Sequence, residues 1–144
     1  MNYVVDTCIF NKLIDGEISL GALPQSSSFF ASHIQIDEIN KTADAERKDQ
    51  LFSKFAEIRP KIIPAESMVW GFMRWGEMKW SDGELYNQLK QSLDKLNKSK
   101  RSNISDALIA ETAINNGYIL LTTDELLSNV ATELGCEVQF FKTK

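Results

Sequence analysis

Four acidic residues stand where a carboxylate needs a reason to be. Asp6 closes the apolar run Tyr3-Val4-Val5, Glu38 lies within Gln35-Ile36-Asp37-Glu38-Ile39, Asp106 follows Ser105, and Asp124 ends Leu121-Thr122-Thr123. An aspartate at the end of a buried strand must find partners, because burying an unpaired charge is costly. Carboxylates brought together repel, a pair at 4 Å by roughly 4 kcal/mol at an effective dielectric of about 20. Such a group calls for protons or cations. Oxygen-only donors suit Mg²⁺ or Mn²⁺, which keep coordinated waters that chemistry can use. Zinc is a poorer match without a cluster of thiolates or imidazoles. The single histidine, His33, excludes a multi-histidine zinc site and a two-histidine acid–base mechanism. Hydrolytic chemistry in this chain must rest mainly on carboxylates. Each acid also has an ordinary explanation. Asp106 could answer a helix dipole, Asp124 could cap a helix starting at Glu125, and Glu38 could be solvated, with Asp37 the ligand instead.

The elements around these acids alternate between strand and helix. Tyr3 to Val5 reads as a buried strand, and Cys8 to Ile14 as a helix. Gly21 to Ser28 is a loop, Phe29 to Ser32 a short strand, and a helix follows through Ile36, Glu38 and Ile39, with Glu38 early in it. A helix over about Ala43 to Ile58 ends at Pro60, and Ile62-Ile63-Pro64 is extended. Ser81 and Glu84 fit a capping box for a helix that buries Leu85, Leu89, Leu93 and Leu96. Ser102 or Asn103 caps the next helix, placing Asp106 in its first turn, and Gly117 closes it. Tyr118 to Leu121 is apolar without alternation, as expected of a strand buried on both faces of a parallel sheet. A helix over Leu126 to Leu134 and a strand from Val138 to Phe141 complete the pattern. The class is α/β: a three-layer α/β/α sandwich around a central, mostly parallel sheet, as one domain over residues 1–144. In such sheets ligands bind at the carboxyl ends of the strands. Asp6 and Asp124 sit at two of those ends, and helices that follow parallel strands start there too, so all four acids can converge.

The 144 residues suit one hydrophobic core. With 43% apolar and 25% charged residues the chain has an ordinary globular composition. No apolar run approaches the roughly 18 residues needed to span a bilayer, and the opening residues do not resemble a signal peptide, so a cytoplasmic location is expected. Cys8 and Cys136 are far apart without a C-x-x-C pair and read as small core residues rather than a disulfide. The net charge of −4 argues against broad nonspecific DNA binding. Setting the four candidate acids aside leaves 16 acidic against 16 basic residues, so a local basic patch feeding an acidic metal site remains compatible.

Val4-Val5-Asp6-Thr7, Gln35 to Ile39, Ser105 to Ala113 and Leu121-Thr122-Thr123-Asp124 together resemble the PIN-domain nuclease family. The four segments fall in that family's order and cover nearly the whole chain. The resemblance implies an endoribonuclease that cuts phosphodiester bonds of RNA with Mg²⁺ or Mn²⁺. It implies that Asp6, Glu38 and Asp106 are metal ligands or orient metal-bound water, with Asp124 a direct or water-mediated fourth acid. The metal would lower the pKa of water and offset charge on phosphorus. Thr7 and Thr122 are suited to support the acids or touch a phosphate. Many small members resembling this chain are toxins held by an antitoxin, and a defence nuclease would be as short. Homodimers also occur in the family.

Lys95, Lys98, Lys100 and Arg101 gather before the Asp106 helix and could hold RNA phosphates or simply match a helix dipole. Trp70, Trp75 and Trp80 could stack unpaired bases or belong to a core or an interface. His33 reads as structural. A catalytically inactive PIN-like protein- or RNA-binding module is the main alternative. A receiver- or phosphatase-type domain with Asp6 as phosphoryl acceptor fits poorly, because Asp6-Thr7-Cys8 is no D-x-D and Thr122-Thr123-Asp124 stands where a late lysine belongs.

Overall fold

The computed structural model describes residues 1–64, 84–97 and 101–142, without the side chains of Asn97 and Arg101. The strands are β1 (Asn2–Val5), β2 (Ser28–Ala31), β3 (Lys61–Ile62), β4 (Ile119–Thr122) and β5 (Val138–Phe140). They form one five-stranded sheet in the order β3-β2-β1-β4-β5, and every pairing is parallel. The chain winds outward from β1 through β2 to β3, then returns to lay β4 on the other flank of β1. The β1/β4 boundary is therefore the point where winding reverses, which is where open α/β sheets bind ligands.

The helices are α1 (Thr7–Ile14), α2 (His33–Asn40), α3 (Ala45–Ile58), α4 (Glu84–Asn97), α5 (Arg101–Asn116) and α6 (Glu125–Glu133). Side chains alternate across the pleat, and the two faces feed two cores. Tyr3, Val5, Ile119 and Leu121 meet Ile9, Phe10 and Leu13 of α1 and Leu51 of α3. Val4 and Leu120 meet Leu89 and Leu93 of α4, Ala107 to Ala110 of α5 and Leu127 of α6. The second helix serves both, through Ile34 on one side and Ile39 on the other. This is the three-layer α/β/α sandwich. All four residues of β4 are buried, which explains its unbroken apolar pattern.

Local chemistry sets the element ends. Ser32 caps α2 in a reciprocal capping box with Gln35, so the strand before it stops at Ala31 rather than at Ser32. The Asp44 side chain accepts from the N–H groups of Glu46 and Arg47, starting α3 at Ala45, slightly later than the periodicity suggests. At Gly117 the backbone turns left-handed, with φ +69°, and the Tyr118 N–H reaches back to the Ala113 carbonyl at 2.9 Å.

Other sequence expectations change as well. The described part of α5 begins at Arg101, so Asp106 lies in its second turn, and Asn103 does not cap it. The Asn103 amide instead donates to Asp94 on α4 at 2.8 Å, and Asp94 also pairs with Lys90. Glu38 is sixth of the eight residues of α2, late rather than early. Leu96 is 65% exposed, since α4 turns only Leu89 and Leu93 fully inward. The last strand ends at Phe140, not Phe141. Ser81, the tryptophans, Lys98 and Lys100, and the side chain of Arg101 lie outside the described residues, while Lys95 is exposed on α4. Among the described residues no helix is long and apolar enough to cross a membrane.

Candidate functional site

Asp6 is the first residue beyond β1. Its N–H donates to the Leu121 carbonyl at 3.0 Å, tying it to the end of β4. It occupies the N-cap position of α1, yet its side chain makes no capping bond to that helix. The carboxylate is directed across the strand ends instead: Oδ2 accepts from the Thr122 hydroxyl at 2.7 Å and the Cys8 thiol at 3.1 Å. Burial raises the Asp6 pKa, the two hydrogen bonds oppose that rise, and the charge of Asp124 adds to it.

Glu38 reaches the same crevice from the last turn of α2. The Thr7 hydroxyl donates to its Oε1 at 2.7 Å. Burial, then the charge of Asp6, pushes its pKa up to about 7, against the Thr7 hydrogen bond and the charge of Lys41. The helix carrying Glu38 is fastened beside β1 by the buried Gln35, whose Nε2 donates to the Val5 carbonyl at 3.1 Å. Its Oε1 accepts from the N–H and the hydroxyl of Ser32, each at 2.9 Å.

Asp106 faces the other acids from α5. Its pKa is pushed up to about 9, first by burial and then by Asp6, Glu38 and Asp124 in turn. One carboxyl group thus feels all three others. Glu38 rather than its neighbour Asp37 is the α2 acid that acts on it. Asp124 caps α6, with Oδ1 accepting from the Leu127 N–H at 3.1 Å; the ordinary role for Asp124 holds alongside its place in the cluster. The Asp124 N–H donates to the Thr122 hydroxyl at 3.0 Å, so Thr122 links the first and fourth acids.

Cys8 departs from the sequence expectation of a plain core residue. It lies half-buried beside Asp6 and accepts from the Thr123 N–H at 3.3 Å, and both cysteines are free thiols. Its position two residues after Asp6, in the first turn of α1, was the available signal. His33 is buried in the first turn of α2.

The donor chemistry fits a hard divalent cation. Carboxylate oxygens dominate, and the nearby thiol is held protonated because burial and the Asp6 charge raise its pKa, which removes the thiolate that zinc favours. Among the described residues, no three His, Cys, Asp or Glu side chains are close enough to clasp one ion as they stand. The acids converge closely enough to repel and remain open.

No family profile matches the sequence, and no curated protein matches it. Solved structures do. The VapBC2 complex from Rickettsia felis, bound to a DNA fragment from its promoter, contains a chain 19% identical to this one with a TM-score of 0.61, the match covering 99% of this chain and 100% of that one. A chain of VapBC-1 from nontypeable Haemophilus influenzae matches at 17% identity and TM-score 0.59 over 97% of this chain and 98% of that one. VapBC-5 from Mycobacterium tuberculosis, a member of the VapBC family of toxin–antitoxin systems, matches at 16% identity and TM-score 0.56 over 99% and 98%. At these identities the likeness is one of fold. The described residues have a PIN-like fold.

Proposed function

We propose that this chain is a Mg²⁺- or Mn²⁺-dependent endoribonuclease, with Asp6, Glu38, Asp106 and Asp124 as its metal-binding and catalytic acids. The observation that carries the reading is the gathering of these acids at the reversal point of the sheet, where burial, and then the charges of Asp6, Glu38 and Asp124, lift Asp106 to about 9. Mutually repelling carboxyls, one of them buried and the others half-buried, cost the metal-free fold stability that a bound cation would restore. When bound, the cation supplies Lewis-acid activation of water and phosphate. The chain's own part is to hold the acids in register: Thr122 orients Asp6, Thr7 orients Glu38, and Gln35 fixes α2 against β1. RNA is the substrate implied by the PIN resemblance, with Lys98, Lys100 and Arg101 as phosphate contacts. The likeness to VapBC structures supports a toxin restrained by an antitoxin protein; a defence nuclease and a homodimer are compatible with the same site, and a cytoplasmic setting suits each role.

The test is to incubate the protein with structured and unstructured RNA in Mn²⁺, with EDTA and Asp106→Asn as controls. Cleavage lost in both controls supports the proposal. Failure of the wild type to bind Mn²⁺ by calorimetry overturns it. The second reading, a catalytically inactive PIN-like protein- or RNA-binding module, draws on the open arrangement in which no three described acids clasp one ion.

A further inference from the structure

Two donors converge on a single oxygen of Asp6. The hydroxyl proton of Thr122 goes to Oδ2 at 2.7 Å, and the thiol proton of Cys8 goes to the same atom at 3.1 Å. Both protons being used, the 3.5 Å contact between the Cys8 sulfur and the Thr122 oxygen has none left to share. Neither donor is free to swing away. Thr122 is fully buried and its oxygen accepts the Asp124 N–H at 3.0 Å, while the Cys8 sulfur accepts the Thr123 N–H at 3.3 Å. A carboxylate offers about four lone-pair sites, two on each oxygen. Oδ2 is full.

We propose that Cys8 and Thr122 act as a paired clamp that makes Asp6 a one-oxygen ligand, through Oδ1, and so biases the centre toward small octahedral cations and against Ca²⁺. The inference rests on the cation-binding reading above and extends it to the choice of ion. Mg²⁺ demands near-ideal octahedral geometry with separate oxygens, whereas Ca²⁺ collects about six to eight oxygens and favours carboxylates that give both of theirs. Asp124 differs, since its Oδ1 accepts a single N–H, from Leu127, and keeps a second lone pair. Confining Asp6 to one oxygen removes a two-oxygen ligand from a calcium shell and takes nothing from an octahedral one. Cys8 is a positioning residue in this scheme: it acts through Asp6 and need not touch the ion.

Calorimetric titration of the full chain with Mn²⁺ alone and Ca²⁺ alone, without RNA, tests the clamp. Wild type should prefer Mn²⁺. Cys8→Ala should narrow the Mn²⁺/Ca²⁺ preference by about tenfold, within the range for losing a partner of a metal-binding carboxylate, and Cys8→Ser, which keeps a donor, should restore it. Thr122→Ser should behave as wild type and Thr122→Val as Cys8→Ala, with thermal melts confirming that each folds. Should Thr122→Val not fold, the Cys8 pair decides. An unchanged preference in Cys8→Ala while wild type binds Mn²⁺ overturns the clamp and leaves the metal centre standing. Wild-type binding that is absent, or indifferent to Asp6→Asn, overturns the metal centre and the clamp's selectivity together. The metal-free protein offers a separate check. In Cys136→Ala the remaining S–H infrared stretch should lie below the free-thiol frequency, and a band at the free-thiol position overturns the clamp.

Discussion

Replacing Asp106 with asparagine should stabilise the metal-free protein, and increasingly so as pH rises. In the unfolded chain this carboxyl ionises near 3.8, but in the fold it holds its proton to about 9. Between those values the native state binds more protons than the unfolded state, so the stability linked to this group is full below about 4 and is lost as pH rises toward 9. At pH 7 about three units of that window have been crossed, and at 1.36 kcal/mol per unit the loss approaches 4 kcal/mol. Because Asp106 is half-buried, water screens part of it, and about 2–4 kcal/mol is expected. Asparagine keeps the shape and has no proton to lose. For a chain of this length the gain corresponds to about 7–13 °C in melting temperature at pH 7. Thermal unfolding in EDTA, followed by circular dichroism from pH 5 to 9, should show a gap at pH 7 about two to three times that at pH 5, widening upward. Mn²⁺ at about 1,000 times its Kd should then reverse the order, since it adds about 4.1 kcal/mol to whichever protein binds it. Parallel melting curves across the pH range, or an asparagine variant that is weaker throughout, would refute the electrostatic argument for the cluster.

Three further perturbations probe the supports. Thr7→Val removes the donor to Glu38 and should cost about 1–2 kcal/mol. Because that bond favours the ionised form of a group standing at about 7, the loss should grow as pH rises through 7 and nearly vanish at pH 5 in urea titrations. Gln35→Ala leaves the Ser32 N–H and hydroxyl and the Val5 carbonyl without their partner in the interior, and should cost about 2–4 kcal/mol; a loss under about 1 kcal/mol in urea unfolding would mean water replaces the amide. On α4, Leu93→Ala should cost about 2–5 kcal/mol while Leu96→Lys should stay within about 0.5 kcal/mol. Equal losses in parallel denaturant curves would contradict the packing of that helix.

Much of the fold could be read from the chain because its strands are short, apolar and separated by amphipathic helices. Leu120 and Leu121 point to opposite cores, and only a strand covered on both sides tolerates that run. What stayed hidden were competitions decided in three dimensions. Asn103 is a good capping residue, but Asp94, distant in sequence and adjacent in space, claims its amide, and α5 extends past it. Leu96 continues the leucine spacing of α4 but meets no partner surface among the described residues. At the site the types and order of the acids were legible, since each lies beside a strand end or on a helix facing one. The role of Cys8 was not. A thiol beside an aspartate two residues earlier looks like core until the turn from β1 into α1 folds the sulfur back onto the carboxylate.

The position of β1 at the centre of the sheet sets a schedule for biosynthesis. Asp6 is synthesised more than a hundred residues before the strand that flanks it and the hydroxyl that orients it, which arrive with residues 119 to 122. Until that late segment docks, the inner flank of β1 has no neighbour and the acids have no common crevice. Contacts so distant in sequence form slowly and only after the intervening loop has closed. A nascent chain would therefore carry Asp6, Glu38 and Asp106 as separate carboxyl groups, and they become one cluster only after β4 has been made and has docked beside β1.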